Sequence, residues 1–230
     1  MTDPASSTAP PHPKEALRRR FRQLRCASLP AAAVGLLEVA QRELPALIPP
    51  GRRLGLWWPI GAEPDLRPLA VELQHRRPDA LALPVVEPWP PGGSHLQLHY
   101  RPWIPGALLL PDACGIPAPA PAPAPGTHTG AGPAPPLPPG ALALLLVPAL
   151  AIDRSGIRLG SGGGWYDRLR ADPAWRAVPA LAVLPAACVS ATPLPRDPWD
   201  VPFDGWLDEH GLHRLSSPPQ GAPAGKVAGS

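Results

Sequence analysis

Residues 141–171 read ALALLLVPALAIDRSGIRLGSGGGWYDRLRA. The first seven, ALALLLV, form an apolar run of strand length without polar alternation, the pattern of a strand buried on both faces. PALAIDRSGI leads away from it, GSGGG (160–164) sets four glycines within five residues, and WYDRLRA opens a helical pattern. Strand, glycine loop and helix in that order place bare backbone N–H groups beside a helix start, which suits an anion such as a polyphosphate. Arg158 adds a guanidinium able to grip phosphate bidentately, and Asp167 a carboxylate able to hold a magnesium ion shared with phosphates. The named nucleotide motifs do not fit: GxxxxGK[ST] is absent, and GSGGGW puts Trp165 where GxGxxG needs its last glycine. On spacing alone, a tight strand-to-helix turn relieved by glycine reads as well as a phosphate loop.

Outward from this stretch, RLGLWW (53–58), ALALPVV (80–86), LQLHYRPW (96–103) and ALAVL (180–184) are further apolar runs of strand length. Helix-like DLRPLAVELQHR (65–76) lies between the first two. Strands alternating with helices predict a single α/β domain with a mostly parallel open sheet, helices on both faces, and ligands beyond the carboxyl ends of the strands. From Pro13, apolar Leu17, Phe21 and Leu24 recur at i, i+4 and i+7, while Lys14, Arg18, Arg22 and Arg25 follow another face of the same helix. A second helix is expected from Pro30 to Leu44, ahead of Pro45. Alternation along RLGLWW puts Trp57 and Trp58 on opposite faces, so that one lines a cleft and the other is core. HLQLHY (95–100) alternates as a strand, placing His95 and His99 on an exposed face rather than as a metal pair.

The chain has 230 residues with 40 Pro and 22 Gly, yet 44% are hydrophobic. Both hold only if the proline is localised, and PAPAPAPAPGTHTGAGPAPPLPPG (117–140) and the termini carry much of it. The expected organisation is a disordered tail over 1–12, a folded domain over 13–214 and a second disordered tail over 215–230. Within the domain, 117–140 reads as an inserted, extended spacer with no catalytic part. Three cysteines without ligand spacing indicate neither a disulfide framework nor a zinc site. Without an apolar run near the ~20 residues that span a bilayer, or an N-terminal apolar segment, the reading is a cytoplasmic protein off the membrane, by default a monomer. The formal charge of +3 is small and concentrated in KEALRRRFRQLR (14–25), which argues against nucleic acid as the partner. The arginines of that helix beyond Arg18 read as a solvated face.

VPALAIDRSGIRLGSGGGWYDR (147–168) resembles the signature of the 5-formyltetrahydrofolate cyclo-ligase (5,10-methenyltetrahydrofolate synthetase) family, and the resemblance extends over 14–212 apart from the Pro-rich insertion. KEALRRRFRQLR matches the family's basic opening helix, LGLWWPIGAEPDL (54–66) its glutamate after the first strand, and LPRDPWDVPFD (194–204) its downstream acidic motif. The resemblance implies a Rossmann-like domain of the NagB/RpiA/CoA-transferase-like kind, using ATP and Mg2+ to convert 5-formyltetrahydrofolate, with or without a polyglutamate tail, to 5,10-methenyltetrahydrofolate with release of ADP and phosphate. ATP phosphorylates the formyl oxygen, and N10 then attacks the activated carbon.

By the same resemblance, Lys14, Arg18 and the loop Arg158, Leu159, Gly160, Ser161, Gly162, Gly163, Gly164, Trp165 and Tyr166 bind ATP, with Arg158 and Tyr166 catalytic. Asp167 and Asp200 hold the metal, and Glu63, Trp58 and Trp165 meet the folate, Glu63 accepting hydrogen bonds from the pterin amino group. Read without the family, Glu63 is an ordinary acid at a helix start. The chain departs from the pattern at Trp165, in place of the first of two tyrosines, at Trp199, where histidine is common, and at Ala118, where glutamate is common. These departures motivate the alternative of a non-catalytic relative that sequesters 5-formyltetrahydrofolate.

Overall fold

The computed structural model describes residues 13–120 and 135–215. The expected tails, up to residue 12 and from 216, and the centre of the Pro-rich segment lie outside the described residues. Helix α1 runs unbroken from Pro13 to Glu43, so the expected division at Pro30 is corrected. Proline removes the N–H that would bond the Cys26 carbonyl one turn earlier, but Cys26 is exposed, so water can reach that end. Burial on both sides outweighs the lost bond: Phe21 packs in one core, and Ala32, Leu36, Val39 and Ala40 pack in the other.

Strand β1 (Arg53–Gly55) is followed by helix α2 (Arg67–Arg76), β2 (Leu81–Pro88) and β3 (Leu96–Pro102). A hairpin of β4 (Leu109–Pro111) and β5 (Pro117–Pro119) comes next, then β6 (Leu142–Pro148), β7 (Ala151–Asp153) and β8 (Arg158–Leu159). Helices α3 (Trp165–Ala171) and α4 (Pro173–Arg176) lead to β9 (Ala180–Val183), β10 (Val189–Ser190), β11 (Gly205–Asp208) and β12 (Gly211–Arg214).

The main sheet has seven strands in the order β12-β11-β9-β6-β1-β2-β3. Its five inner strands are parallel, and β3 and β12 close the edges antiparallel. Alternate residues of the inner strands feed two cores, Leu145 and Val147 into one and Leu144 and Leu146 into the other. This is why the sequence shows runs rather than alternation. Gly55, the last residue of β1, has no room for a side chain: a Cβ there would stand 2.8 Å from both Leu145 Cδ2 and Tyr100 Cε1.

Leaving β1 the chain turns first toward β2 and later, through β6, toward the opposite edge, so β1 and β6 flank the point where strand order reverses. Open α/β sheets bind ligands beyond the carboxyl ends at such a point. Just past β6, buried Asp153 reverses the chain: its Oδ1 accepts from the Ser155 and Ile157 amides at 2.8 and 3.1 Å, and its Oδ2 from the Leu194 amide at 2.8 Å. That turn pairs β8 antiparallel to β7 and delivers Arg158 and the glycine loop to the end of β6.

The flanks of the Pro-rich segment are ordered, which corrects the expectation of a spacer starting at 117. Pro117–Pro119 pairs with Leu109–Pro111, Ala118 is buried, and the Leu137 amide bonds the Tyr100 carbonyl. Leu215, expected in the tail, bonds the Asp204 carbonyl and packs on the core. His95 and Gln97 are exposed as expected, while His99 is half-buried against the Trp89 ring.

Candidate active site

A cavity of about 360 Å³ opens beyond the ends of β1 and β6. It collects every residue singled out from sequence: Lys14, Arg18, Trp58, Glu63, the run Arg158–Asp167, and Asp200. α1 supplies the basic wall. Lys14 Nζ lies 2.6 Å from Asp197 Oδ2 and 2.6 Å from Asp200 Oδ2, and one turn on, Arg18 Nε donates to the Gly160 carbonyl at 3.2 Å. The helix is thereby tied to both the acidic loop and the glycine loop.

The glycine loop is shaped by what its backbone must pass. A Cβ at Gly160 would meet Arg158 Nη1 at 2.6 Å, and one at Gly163 would meet Trp165 Cδ1 at 2.8 Å. Gly164 caps α3 at φ +64°, a left-handed conformation that costs a side-chain-bearing residue about 1–2 kcal/mol. Arg158 is fixed by donating to the Pro148 carbonyl at 3.3 Å, and its guanidinium stands 3.6 Å from Asp167 Oδ2 and over the ring of Tyr166. Burial, followed by the charge of Glu63, pushes the Tyr166 phenol up, so its hydroxyl stays protonated at neutral pH. Arg168, which does not line the cavity, braces the loop from outside through the Gly163 carbonyl at 2.9 Å and over the Trp165 ring.

The rest of the lining is largely apolar. Trp57, Trp58, Val86, Leu98 and Ile116 contribute to it, and the Glu63 carboxyl lines the same cavity within electrostatic reach of Arg158 and Tyr166. Trp57 is buried in the core, as expected of one of the pair, yet it reaches the cavity wall together with Trp58, because β1 stops at Gly55 and the pair lies past the pleat that would separate them. Trp58 is held edge-on to Trp103 and under the Arg67 guanidinium. Burial raises the Glu63 carboxyl above the ordinary range, opposed by the Ile60 amide, Arg25 and Arg158. The β4–β5 hairpin forms a further wall: Asp112 Oδ2 accepts from the Val86 amide at 3.0 Å, and Cys114 and Ile116 face the cavity.

Three residues beside the site escaped the sequence reading. Asp197 shares Lys14 with Asp200, and its place three residues earlier in LPRDPWD was the available signal. Arg25, expected on a solvated face, is buried and donates to the Ala149 carbonyl at 3.2 Å. It falls on the helix line of Lys14 and Arg18, seven residues past the latter. Cys114 left no signal, because its place follows from the hairpin.

Lys14, Arg18 and Arg158 face five lining carboxylates, Glu63, Asp112, Asp167, Asp197 and Asp200. A polyanion enters such a site more readily with a divalent cation, so the donor set fits magnesium. No group of three or more His, Cys, Asp or Glu ligands occurs among the described residues. Magnesium shared with phosphates and water needs only one or two carboxylates.

An open, mostly parallel α/β sheet with a glycine loop, a basic helix and carboxylates at its switch point is an arrangement suited to an anionic ligand. The profile of the 5-formyltetrahydrofolate cyclo-ligase family matches residues 126–208. A 5-formyltetrahydrofolate cyclo-ligase of Mycolicibacterium smegmatis is 33% identical over 168 residues, 69% of this chain and 75% of that protein. A second, of Haemophilus influenzae, is 40% identical over 68 residues, 29% of this chain and 35% of its own length. The fold matches the 5,10-methenyltetrahydrofolate synthetase of Aquifex aeolicus with a TM-score of 0.62 at 23% identity, covering 94% of this chain and 98% of that one. It also matches that of Mycoplasma pneumoniae with a TM-score of 0.59 at 19% identity, over 86% and 99%. The chain belongs to the 5-formyltetrahydrofolate cyclo-ligase family.

Proposed function

We propose that this chain converts 5-formyltetrahydrofolate to 5,10-methenyltetrahydrofolate, consuming ATP and releasing ADP and phosphate. The observation that carries the reading is the mixed lining of one cavity, which joins cations and bare glycine backbone to tryptophans and a buried carboxyl. The γ-phosphoryl group of ATP passes to the formyl oxygen, which turns a poor leaving group into phosphate. The N10 lone pair then attacks the formyl carbon, the C–O bond breaks as phosphate departs, and the N10 proton is lost.

Lys14, Arg18 and Arg158 neutralise the triphosphate, while the Gly160–Gly164 backbone lets it approach closely. Tyr166, stacked under Arg158, keeps that guanidinium aimed at the transferring group. Glu63 accepts from the pterin amino group, and Trp58 and Trp165 pack against the folate rings. Asp167 and Asp200 would hold magnesium, which supplies charge neutralisation between the phosphates. Most of the work is positioning and electrostatics. Three unpaired cysteines accord with a reducing cytoplasm, and no helix among the described residues is long and apolar enough to cross a membrane.

Folate-dependent release of phosphate from Mg-ATP by the purified chain tests this reading. Release in step with 5-formyltetrahydrofolate consumption is the expected result. Tight folate binding with no phosphate release would point instead to a sequestering relative.

A further inference from the structure

Arg25 is a buried guanidinium that the chemistry above does not use. It does not line the cavity, yet it joins three elements around it: α1, the loop after β1 that carries Glu63, and the segment after β6. Its Nη1 donates to the Ala149 carbonyl at 3.2 Å and lies 3.9 Å from Glu63 Oε1. Its Nε is buried with no hydrogen-bond partner among the described residues. Burying a charge is costly unless it is paired and hydrogen-bonded, and a leucine would fill the same stripe of α1 without that cost.

We propose that Arg25 is a positioning residue for folate: its guanidinium, anchored on the Ala149 carbonyl, fixes the Glu63 carboxylate in the orientation that accepts the pterin's hydrogen bonds. This rests on the assignment of Glu63 to the folate end. Glu63 also faces Arg158 near the end of β6, Tyr166 of α3 and the Ile60 amide of its own loop, and Arg25 faces Cys188, Cys26 and Arg22 besides Glu63. Arg158 is held by Asp167 and the Pro148 carbonyl, which leaves Arg25 as the cation able to orient Glu63 from behind. Burial raises the Glu63 carboxyl and Arg25 opposes that rise, so loss of Arg25 lets Glu63 keep its proton to higher pH. A protonated Glu63 presents a donor where the pterin amino group needs an acceptor.

The test is binding of 5-formyltetrahydrofolate to the full chain without ATP, read by quenching of tryptophan fluorescence from about pH 5 to pH 8, with Mg-ATP binding as the control. Arg25→Gln is expected to weaken folate binding about tenfold or more while Mg-ATP affinity stays unchanged. The pH at which folate affinity falls should also move upward. In a Glu63→Gln background the same change should have little further effect. Arg25→Lys keeps the charge but not the fork, so it should lose affinity while its pH profile stays close to that of the unsubstituted chain; it decides the matter if Arg25→Gln does not fold. Equal losses for both ligands, a full loss in the Glu63→Gln background, or unchanged folate affinity would overturn the proposal. Failure of the unsubstituted chain to bind 5-formyltetrahydrofolate would overturn the functional reading, and this proposal with it.

Discussion

The ammonium of Lys14 and the carboxylate of Asp200, 186 positions apart in sequence, meet at 2.6 Å in the cavity wall. Asp200 also accepts from the Asp197 amide at 2.7 Å, so one carboxylate fixes both its own loop and the first turn of α1. Burial works against the charge on Lys14, and the bonds to Asp197 and Asp200 outweigh it, holding the lysine above its ordinary range. The residue is therefore positioned and fully charged at neutral pH, as the proposed triphosphate contact requires.

Lys14→Met removes the proposed phosphate contact and the ammonium that Asp197 and Asp200 share. Mg-ATP affinity should fall about tenfold or more, and the melting temperature should drop by a few degrees. Calorimetric titration with Mg-ATP and a thermal melt check both, and unchanged nucleotide affinity would remove Lys14 from the ATP site.

Asp167 is half-buried and, among the described residues, its carboxylate meets Arg158 and no backbone group, so Asp167→Asn should fold normally. Turnover should fall on the order of 10²-fold or more, with the loss deepest at low magnesium, because the amide cannot hold the cation. A magnesium titration of the rate gives the answer, and turnover equal to that of the unsubstituted chain would refute the metal assignment.

Gly160→Ala introduces a methyl group 2.6 Å from Arg158 Nη1. The guanidinium must swing away from the Pro148 carbonyl and Asp167, so the KM for ATP should rise about tenfold while the melting temperature barely changes. Steady-state kinetics and a thermal melt separate this outcome from simple misfolding, which would lower both.

Cysteine chemistry reports on the cavity without relying on turnover. Cys188 is buried with its thiol pushed up to about 11, first by burial, and should resist alkylation in the native protein at neutral pH. Cys114 is exposed at the cavity wall, its thiol also raised, first by burial and then by Asp112. Raised thiols carry less thiolate at a given pH, so Cys114 should label slowly at pH 7 and faster as pH climbs. Bound 5-formyltetrahydrofolate should protect Cys114 and leave the exposed Cys26 reactive, an outcome mass spectrometry reads directly.

Much of this was legible before any coordinates. The runs at 81–86, 142–147 and 180–183 are strands because parallel strands covered on both faces need apolar residues at every position. The glycine loop was legible because four glycines in five residues mark a backbone that passes within contact of the Arg158 and Trp165 side chains. Other features depend on contacts that no local pattern encodes. β7 and β8 are two or three residues long and exist because Asp153 ties their turn. α1 crosses Pro30 because packing beyond it outweighs one lost hydrogen bond, and Trp57 and Trp58 share the cavity because β1 ends two residues before them. Arg25 shows the limit most plainly: charge alone placed it in solvent, and only the helix line through Lys14 and Arg18 pointed inward.

The most direct measurement is the ultraviolet absorbance of the methenyl product as purified chain, 5-formyltetrahydrofolate and Mg-ATP are mixed, against a control without ATP. ATP-dependent growth of that band, abolished by Asp167→Asn, is the predicted result. A flat trace in the presence of bound folate and bound Mg-ATP would contradict the assignment of this cavity to cyclo-ligase chemistry.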